Sequence, residues 1–172
     1  EIRSILERMI LGRNVHIDES QCRKLSEYLF YKILILDHAF EQFAPNDFFH
    51  KFYEHRIIPE NVTMFLLNCI EGTWRSGIRI MGGHFAAEIP DPKAPPNVRT
   101  IALGFGNLFV YCVLRKGGIF DPIFTPGVSF QLHPLFHPSM RWPPLSSISS
   151  DVAETISMTI WHGGMPTVGD DF

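Results

Sequence analysis

The distribution of proline, glycine and charge changes near residue 77, and this change constrains the fold more than any other feature of the chain. Eleven of the thirteen prolines and eleven of the thirteen glycines lie from residue 77 onward, whereas residues 1–76 hold twenty of the charged side chains and the rest hold thirteen. Apolar residues recur at helical spacing before this point and alternate as in strands after it. Helices followed by strands, without alternation of the two, are typical of the α+β class.

We therefore predict one α+β domain over residues 1–172, mainly helical in 1–76 and mainly β in 77–172. A layer of about four N-terminal helices should pack on a mostly antiparallel sheet with Pro-rich loops. Because residues 1–11 already have the pattern of an amphipathic helix, we expect the chain to be part of a longer protein.

The longest helix is predicted over residues 18–43. Asp18 can accept hydrogen bonds from the free amides of the first turn, and Gln21 is placed to complete a capping box. The middle of this helix, residues 28–36, is apolar nearly all round, which predicts a central helix that is covered on most sides. Leu34 and Ile35 are accordingly both expected to be buried.

Three shorter helices complete the predicted layer, at residues 1–11, 47–55 and 59–71. The last of these would begin at Pro59, end before Gly72 and bury a stripe at helical spacing. The members of this stripe are Val62, Phe65, Leu66, Cys69 and Ile70.

Seven strands are predicted in the second part, with Arg115, Lys116, Gly117 and Gly118 forming a hairpin turn. The strands are expected at residues 78–81, 84–89, 98–105, 108–114, 119–124, 129–132 and 155–161. Two Pro-rich stretches, 90–96 and 134–144, are expected to be surface loops, because proline lacks the amide hydrogen that a sheet requires.

Charge and cysteine usage exclude several classes of protein. Fifteen Lys and Arg against eighteen Asp and Glu leave a net charge of −3, which argues against affinity based mainly on phosphate neutralisation. Cys22, Cys69 and Cys112 lie in apolar runs and are predicted to be buried free thiols, which indicates a reducing, intracellular compartment. No apolar run approaches the ~18 residues that a membrane-spanning helix needs.

No complete catalytic or metal-binding motif is present, so we expect neither a catalytic residue nor a cofactor. The best metal-ligand pair is His133 and His137, but Pro134 and Pro138 bracket it and disfavour the helix that would bring both imidazoles to one ion. The chain contains residues in the sequence order of a two-metal nuclease motif, namely His38, then Asp91, then Lys116. Between residues 92 and 118, however, there is no second carboxylate to hold the cation.

Two functions remain, and recognition of another protein is the first. Low charge and many aromatic residues fit an assembly domain, and Trp74, Arg141 and Trp142 are predicted to contact a partner or a second copy. Assembly subunits such as viral matrix or coat proteins have this kind of composition. The same aromatic rings could instead simply fill one large core.

The alternative is a nucleic-acid-binding or degenerate nuclease-like domain of a larger RNA-processing or polymerase protein. Basic residues interleaved with aromatic ones can follow a single strand while its bases stack on the rings. The basic residues predicted for this role are Arg75, Arg79, Arg99, Arg115 and Lys116.

Overall fold

A computed structural model describes residues 1–40, 42–70, 76–83, 96–116, 127–133 and 139–158. Within these ranges it contains four helices and seven strands, which confirms the α+β class. The helices are α1 (Ile2–Ile10), α2 (Glu19–Ala39), α3 (Asn46–His55) and α4 (Ser150–Met158). The strands are β1 (Val15–Asp18), β2 (Val62–Asn68), β3 (Ser76–Gly83), β4 (Val98–Phe105), β5 (Leu108–Arg115), β6 (Ser129–His133) and β7 (Ser139–Trp142).

Five of the strands form one sheet in the order β3-β4-β5-β2-β6, and each pair of neighbours is antiparallel. The first strand of this sheet along the chain, β2, lies inside it between β5 and β6. Strands β1 and β7 pair in a separate antiparallel ribbon. None of the described helices combines the length and the apolar character needed to cross a membrane.

Both faces of the five-stranded sheet are covered by helices. Along β5, Val110 and Cys112 belong to the core that the sheet shares with α1, α2 and α3. The alternate residues Phe109 and Tyr111 belong to a second core, which the sheet shares with α4. Successive side chains of a strand point to opposite faces, so the two cores lie on opposite sides of the sheet.

The predicted start of α2 is confirmed in atomic detail. Asp18 Oδ1 accepts a hydrogen bond from the Gln21 amide at 2.8 Å, and Gln21 Oε1 accepts one from the Asp18 amide at 3.0 Å. The prediction that the middle of α2 is covered on most sides is wrong. Leu34 is 1% exposed, but Tyr28 and Ile35 are 42% and 45% exposed.

The predicted helix over residues 59–71 is also wrong, because Val62–Asn68 forms strand β2. Every residue of β2 is buried, since the strand has a neighbour on each edge and helices over each face. A strand buried on both faces reads as a continuous apolar run without alternation. Such a run contains apolar residues three and four positions apart by chance, so it resembles the buried stripe of a helix.

The strand predicted at residues 155–161 is a helix as far as it is described, because α4 extends to Met158. The Ser149 hydroxyl accepts a hydrogen bond from the Val152 amide at 3.3 Å, as N-cap residues do. The first part of the chain therefore contains β1 and β2, and the second part contains α4. This corrects the simple division into helices before residue 77 and strands after it.

The remaining predicted elements agree with the structure where it describes them. The strands at 78–81, 98–105, 108–114 and 129–132 and the helices at 1–11 and 47–55 are confirmed with small changes of their ends. The predicted strands 84–89 and 119–124, residues 90–95 of the first Pro-rich loop, and residues 117–118 of the hairpin turn lie outside the described residues. Within the second predicted loop, residues 139–142 form strand β7 instead.

The turn between β4 and β5 holds α1 against the sheet. Gly106 has φ +57°, and a Cβ atom at this position would lie 2.4 Å from the carbonyl oxygen of Ile10. The backbone amide of the next residue, Asn107, donates a hydrogen bond to the same Ile10 oxygen at 2.8 Å. The Asn107 carbonyl oxygen accepts a hydrogen bond from the Cys69 amide at 2.8 Å. Only glycine fits this turn, which joins α1 to the end of β2.

Candidate functional site

Trp142, predicted to contact a partner, is part of the core. Its side chain is 1% exposed, and its indole nitrogen donates a hydrogen bond to the Met9 carbonyl at 3.2 Å. The strand pairing of β7 with β1 places Trp142 opposite Val15, and its indole contacts the last turn of α1 through Met9. Arg141, the preceding residue, is exposed, whereas Trp74 lies outside the described residues.

His133, predicted as a weak metal ligand, has a structural role. Its Nε2 donates a hydrogen bond to the Pro59 carbonyl at 3.0 Å, and the side chain is buried. Burial lowers the pKa of this imidazole, which favours the neutral ring in the folded protein. His137 lies outside the described residues, and within the described ranges no cluster of three His, Cys, Asp or Glu side chains is suited to a metal ion.

A cavity of about 330 Å³ lies beside His133, between α2 and the chain that follows α3. Arg23 and Arg56 line it together with the carboxylate of Glu27, so both signs of charge are present. The guanidinium carbon of Arg56 lies 5.3 Å from the centre of the Phe52 ring. These groups form a mixed-charge surface and not a nucleophile with an adjacent base.

Two of the arginines proposed for nucleic-acid binding are buried and hold the chain to itself. Arg99 Nη1 donates to Asp37 Oδ1 at 3.1 Å, and this pair joins β4 to α2. Arg115 Nη2 donates to the Glu60 carbonyl and to the Thr63 hydroxyl, each at 3.2 Å. Buried guanidinium groups cannot follow a phosphate backbone.

Among the described residues proposed for that role, Arg79 lies apart from the others. Arg79 is on the opposite face of the sheet from Arg99, where it contacts Glu154 of α4 at 2.7 Å. The ammonium group of Lys116 lies 4.3 Å from the centre of the Phe43 ring, and the buried guanidinium group of Arg99 lies 5.3 Å from the same centre. Arg75 lies outside the described residues. The described members of the set therefore do not form one basic surface.

All three cysteines are buried and free of disulfides, as predicted. Burial raises the pKa of the Cys22 thiol to about 11 and raises that of Cys112 further. Their thiolates are disfavoured near neutral pH, so neither has the environment of a catalytic nucleophile.

An apolar groove lies between α1, α2 and the ends of strands β3, β4 and β5. Its volume is about 410 Å³, and we call it the α1–α2 groove. Its floor is formed by buried side chains such as Leu29, Leu103 and Leu108. The complete lining is Leu6, Ile10, Tyr28, Leu29, Lys32, Ile35, Leu36, Ile78, Leu103, Phe105 and Leu108.

Four large apolar side chains of the α1–α2 groove remain exposed to solvent. Tyr28 and Ile35 of α2 are 42% and 45% exposed, and Ile78 and Phe105 on the sheet side are 54% and 42% exposed. Residues spaced by three and four lie on one stripe of a helix, so Tyr28, Lys32 and Ile35 form a single ridge along α2. Apolar side chains therefore face each other across the groove from a helix and from the sheet.

Lys32 is the charged residue among the described residues that line the α1–α2 groove. Its ammonium nitrogen lies 5.4 Å from the ring centres of both Tyr28 and Tyr31. These cation–π contacts restrain the ammonium group near the groove rim, where it stays exposed to water.

A second groove of about 320 Å³ runs along the other side of α2, between α2 and α3. Ile35 lines both grooves, and Tyr53 of α3 is 59% exposed. The rings of Tyr31 and Tyr53 meet edge to face at 6.4 Å. The lining of this α2–α3 groove is Ile35, His38, Gln42, Asn46, Phe49 and Tyr53.

Sequence reasoning did not identify this surface, because it predicted residues 28–36 to be covered on most sides. Lys32 is the residue that could have shown the exposed side, since its charge stays in water and its helical neighbours Tyr28 and Ile35 share its face. The opposite wall of the groove, with Ile78 and Phe105, depends on packing between distant parts of the chain.

No protein-family model matches the chain, and neither does any curated protein or solved structure.

Proposed function

We propose that this protein is a non-enzymatic protein-binding domain used in assembly, and that its partner docks in the α1–α2 groove. The observation that carries the proposal is the set of four half-exposed apolar side chains around one concave surface. Contiguous exposed apolar surface is uncommon on soluble proteins and marks sites of interaction.

The energy available at this surface supports a specific but moderate affinity. Complete burial of a large apolar side chain contributes ~1.5–3 kcal/mol, and each of the four is already about half buried. Covering them would therefore contribute about 1 kcal/mol each, or about 4 kcal/mol together. Part of this offsets the entropy lost on association, so additional contacts are needed for tight binding.

The test uses Ile35→Lys, which places a charge where both grooves meet. Ile57→Lys is the matched control, because Ile57 is 52% exposed but lies outside both grooves. Peptides selected from a displayed random library against the wild-type protein, and self-association followed by sedimentation equilibrium, provide two readouts of protein binding. Thermal melts establish that both variants are folded.

We expect at least one of these associations to weaken about tenfold in Ile35→Lys and to persist in Ile57→Lys. If no selected peptide and no self-association depends on Ile35, the proposal is wrong. Binding of single-stranded RNA that both variants retain, without any association dependent on Ile35, would favour the nucleic-acid alternative.

A further inference from the structure

The charge of the docking surface differs in sign from that of the whole chain. The chain has a net charge of −3, yet Lys32 lines the α1–α2 groove and no carboxylate lines either groove among the described residues. In the α2–α3 groove the titratable groups are the His38 imidazole and the Tyr53 phenol. A ligand that covers this surface therefore meets apolar walls with a positive charge at their rim.

This charge disfavours a second copy of the chain as the occupant. In a two-fold symmetric dimer each patch contacts the same patch of the other subunit. Each Lys32 ammonium group would then be covered by a patch whose described lining supplies no carboxylate to compensate it. A charge covered without an opposite charge opposes binding, so the surface favours a partner that carries a negative charge.

The shape of the surface favours a helix. Tyr28, Lys32 and Ile35 form a ridge along α2, and a groove runs on each side of it. A helix packs against another by inserting its rows of side chains into such grooves. The volume of about 410 Å³ is within the range of cavities that enclose drug-sized ligands, ~300–1,000 Å³, so several side chains can enter.

The position of Lys32 indicates where the partner's negative charge should lie. Tyr28 and Ile35 flank Lys32 along the ridge, and the cation–π contacts with Tyr28 and Tyr31 already restrain its ammonium group. A carboxylate on the apolar face of a docked helix, between two anchor residues, would meet this ammonium group while the anchors enter the groove. A restrained ammonium group loses less freedom on binding than a mobile one.

We infer that the α1–α2 groove takes an amphipathic helix of another protein, with apolar anchors at positions i, i+3 and i+7 and an acidic residue at i+4. This inference rests on the proposed function and specifies its partner. The acidic residue selects the partner, and the anchors supply most of the apolar contact.

The probes are two designed helical peptides with leucine at i, i+3 and i+7, one with glutamate and the other with lysine at i+4. Fluorescence anisotropy measures their binding to the wild-type protein and to Lys32→Glu, Lys51→Glu and Ile35→Lys. Lys51→Glu is the charge-matched control, because Lys51 is an exposed residue of α3 that lines neither groove. Circular dichroism verifies that each variant is folded.

We expect the glutamate peptide to bind the wild-type protein about tenfold more tightly than the lysine peptide. Lys32→Glu should reverse this preference, Lys51→Glu should retain it, and Ile35→Lys should weaken both peptides. Equal binding of the two peptides that is lost in Ile35→Lys would overturn the inference and leave the proposed function standing. The same conclusion follows if neither peptide binds but the protein self-associates in a way that depends on Ile35. Absence of every association that depends on Ile35 would overturn both.

Discussion

A single buried carboxylate, that of Asp37, holds the connection between α2 and α3 and joins it to the sheet. Asp37 is 0% exposed, and its Oδ2 accepts the amides of Phe43 and Ala44 at 3.0 and 2.8 Å. Its Oδ1 accepts from Arg99 Nη1 at 3.1 Å, and the same nitrogen donates to the Phe40 carbonyl at 3.1 Å. Loss of this carboxylate should therefore disturb several backbone segments at once.

We expect Asp37→Ala to lower the free energy of unfolding by ~3–5 kcal/mol, the usual effect of removing one partner of a buried ion pair. The alanine variant leaves the Arg99 charge without its carboxylate and the Phe43 and Ala44 amides without their acceptor. Asp37→Asn retains an oxygen for the two amides but loses the charge that faces Arg99, so we expect a smaller loss of ~2–3 kcal/mol.

Urea unfolding followed by circular dichroism measures these changes. A double-mutant cycle adds Arg99→Met and the double variant Asp37→Asn/Arg99→Met. We expect it to show a coupling energy of ~1–3 kcal/mol between the two positions. Lys51→Ala, which removes one partner of an exposed pair with Asp47, is the control and should change stability by less than ~0.5 kcal/mol. Loss of less than ~1 kcal/mol in Asp37→Ala, or strict additivity in the cycle, would refute the reasoning.

Three further substitutions test other parts of the fold by the same unfolding measurement. Gly106→Ala should lower the free energy of unfolding by ~2–4 kcal/mol, because it adds a Cβ atom 2.4 Å from the Ile10 carbonyl oxygen at a residue with φ +57°. A decrease below ~1 kcal/mol would contradict this reasoning. Trp142→Ala should lower the free energy of unfolding by ~3–5 kcal/mol, as expected of a core residue. Unchanged stability would instead support the prediction that Trp142 contacts a partner. Burial lowers the pKa of His133, so the unfolded chain takes up a proton first as the pH falls through ~6.5. His133 therefore stabilises the fold above that pH and loses this contribution below it. His133→Gln should lose less stability than the wild type between pH 7.5 and 5.5, and equal losses would show that His133 does not titrate this way.

Elements with local signals were predictable from the sequence. The capping box of Asp18 and Gln21 depends on residues three positions apart, and the hairpin of β4 and β5 depends on a tight turn at Gly106 between two apolar runs. In both cases the residues that determine the structure are neighbours along the chain, so a sequence pattern contains the relevant contacts.

Elements whose character depends on distant partners were not predictable in this way. Strand β2 reads as a helix until β5 and β6 are known to flank it, and Trp142 reads as an exposed loop residue until β7 is known to pair with β1. The groove has the same origin, because Tyr28 and Ile78 are brought to one surface only by the packing of α2 on the sheet. Periodicity reports which side of an element is apolar and does not report what covers it.

The position of β2 also has a consequence for how the chain folds during synthesis. Its partners in the sheet, β5 and β6, are residues Leu108–Arg115 and Ser129–His133, so they leave the ribosome well after Val62–Asn68. Until then, a run of seven residues that is fully buried in the folded protein has neither of its neighbouring strands. An uncharged, proline-free segment of this kind is prone to intermolecular β-pairing when it is exposed. The nascent chain therefore passes through a stage in which this future interior strand of the sheet must be shielded, and molecular chaperones are the expected means.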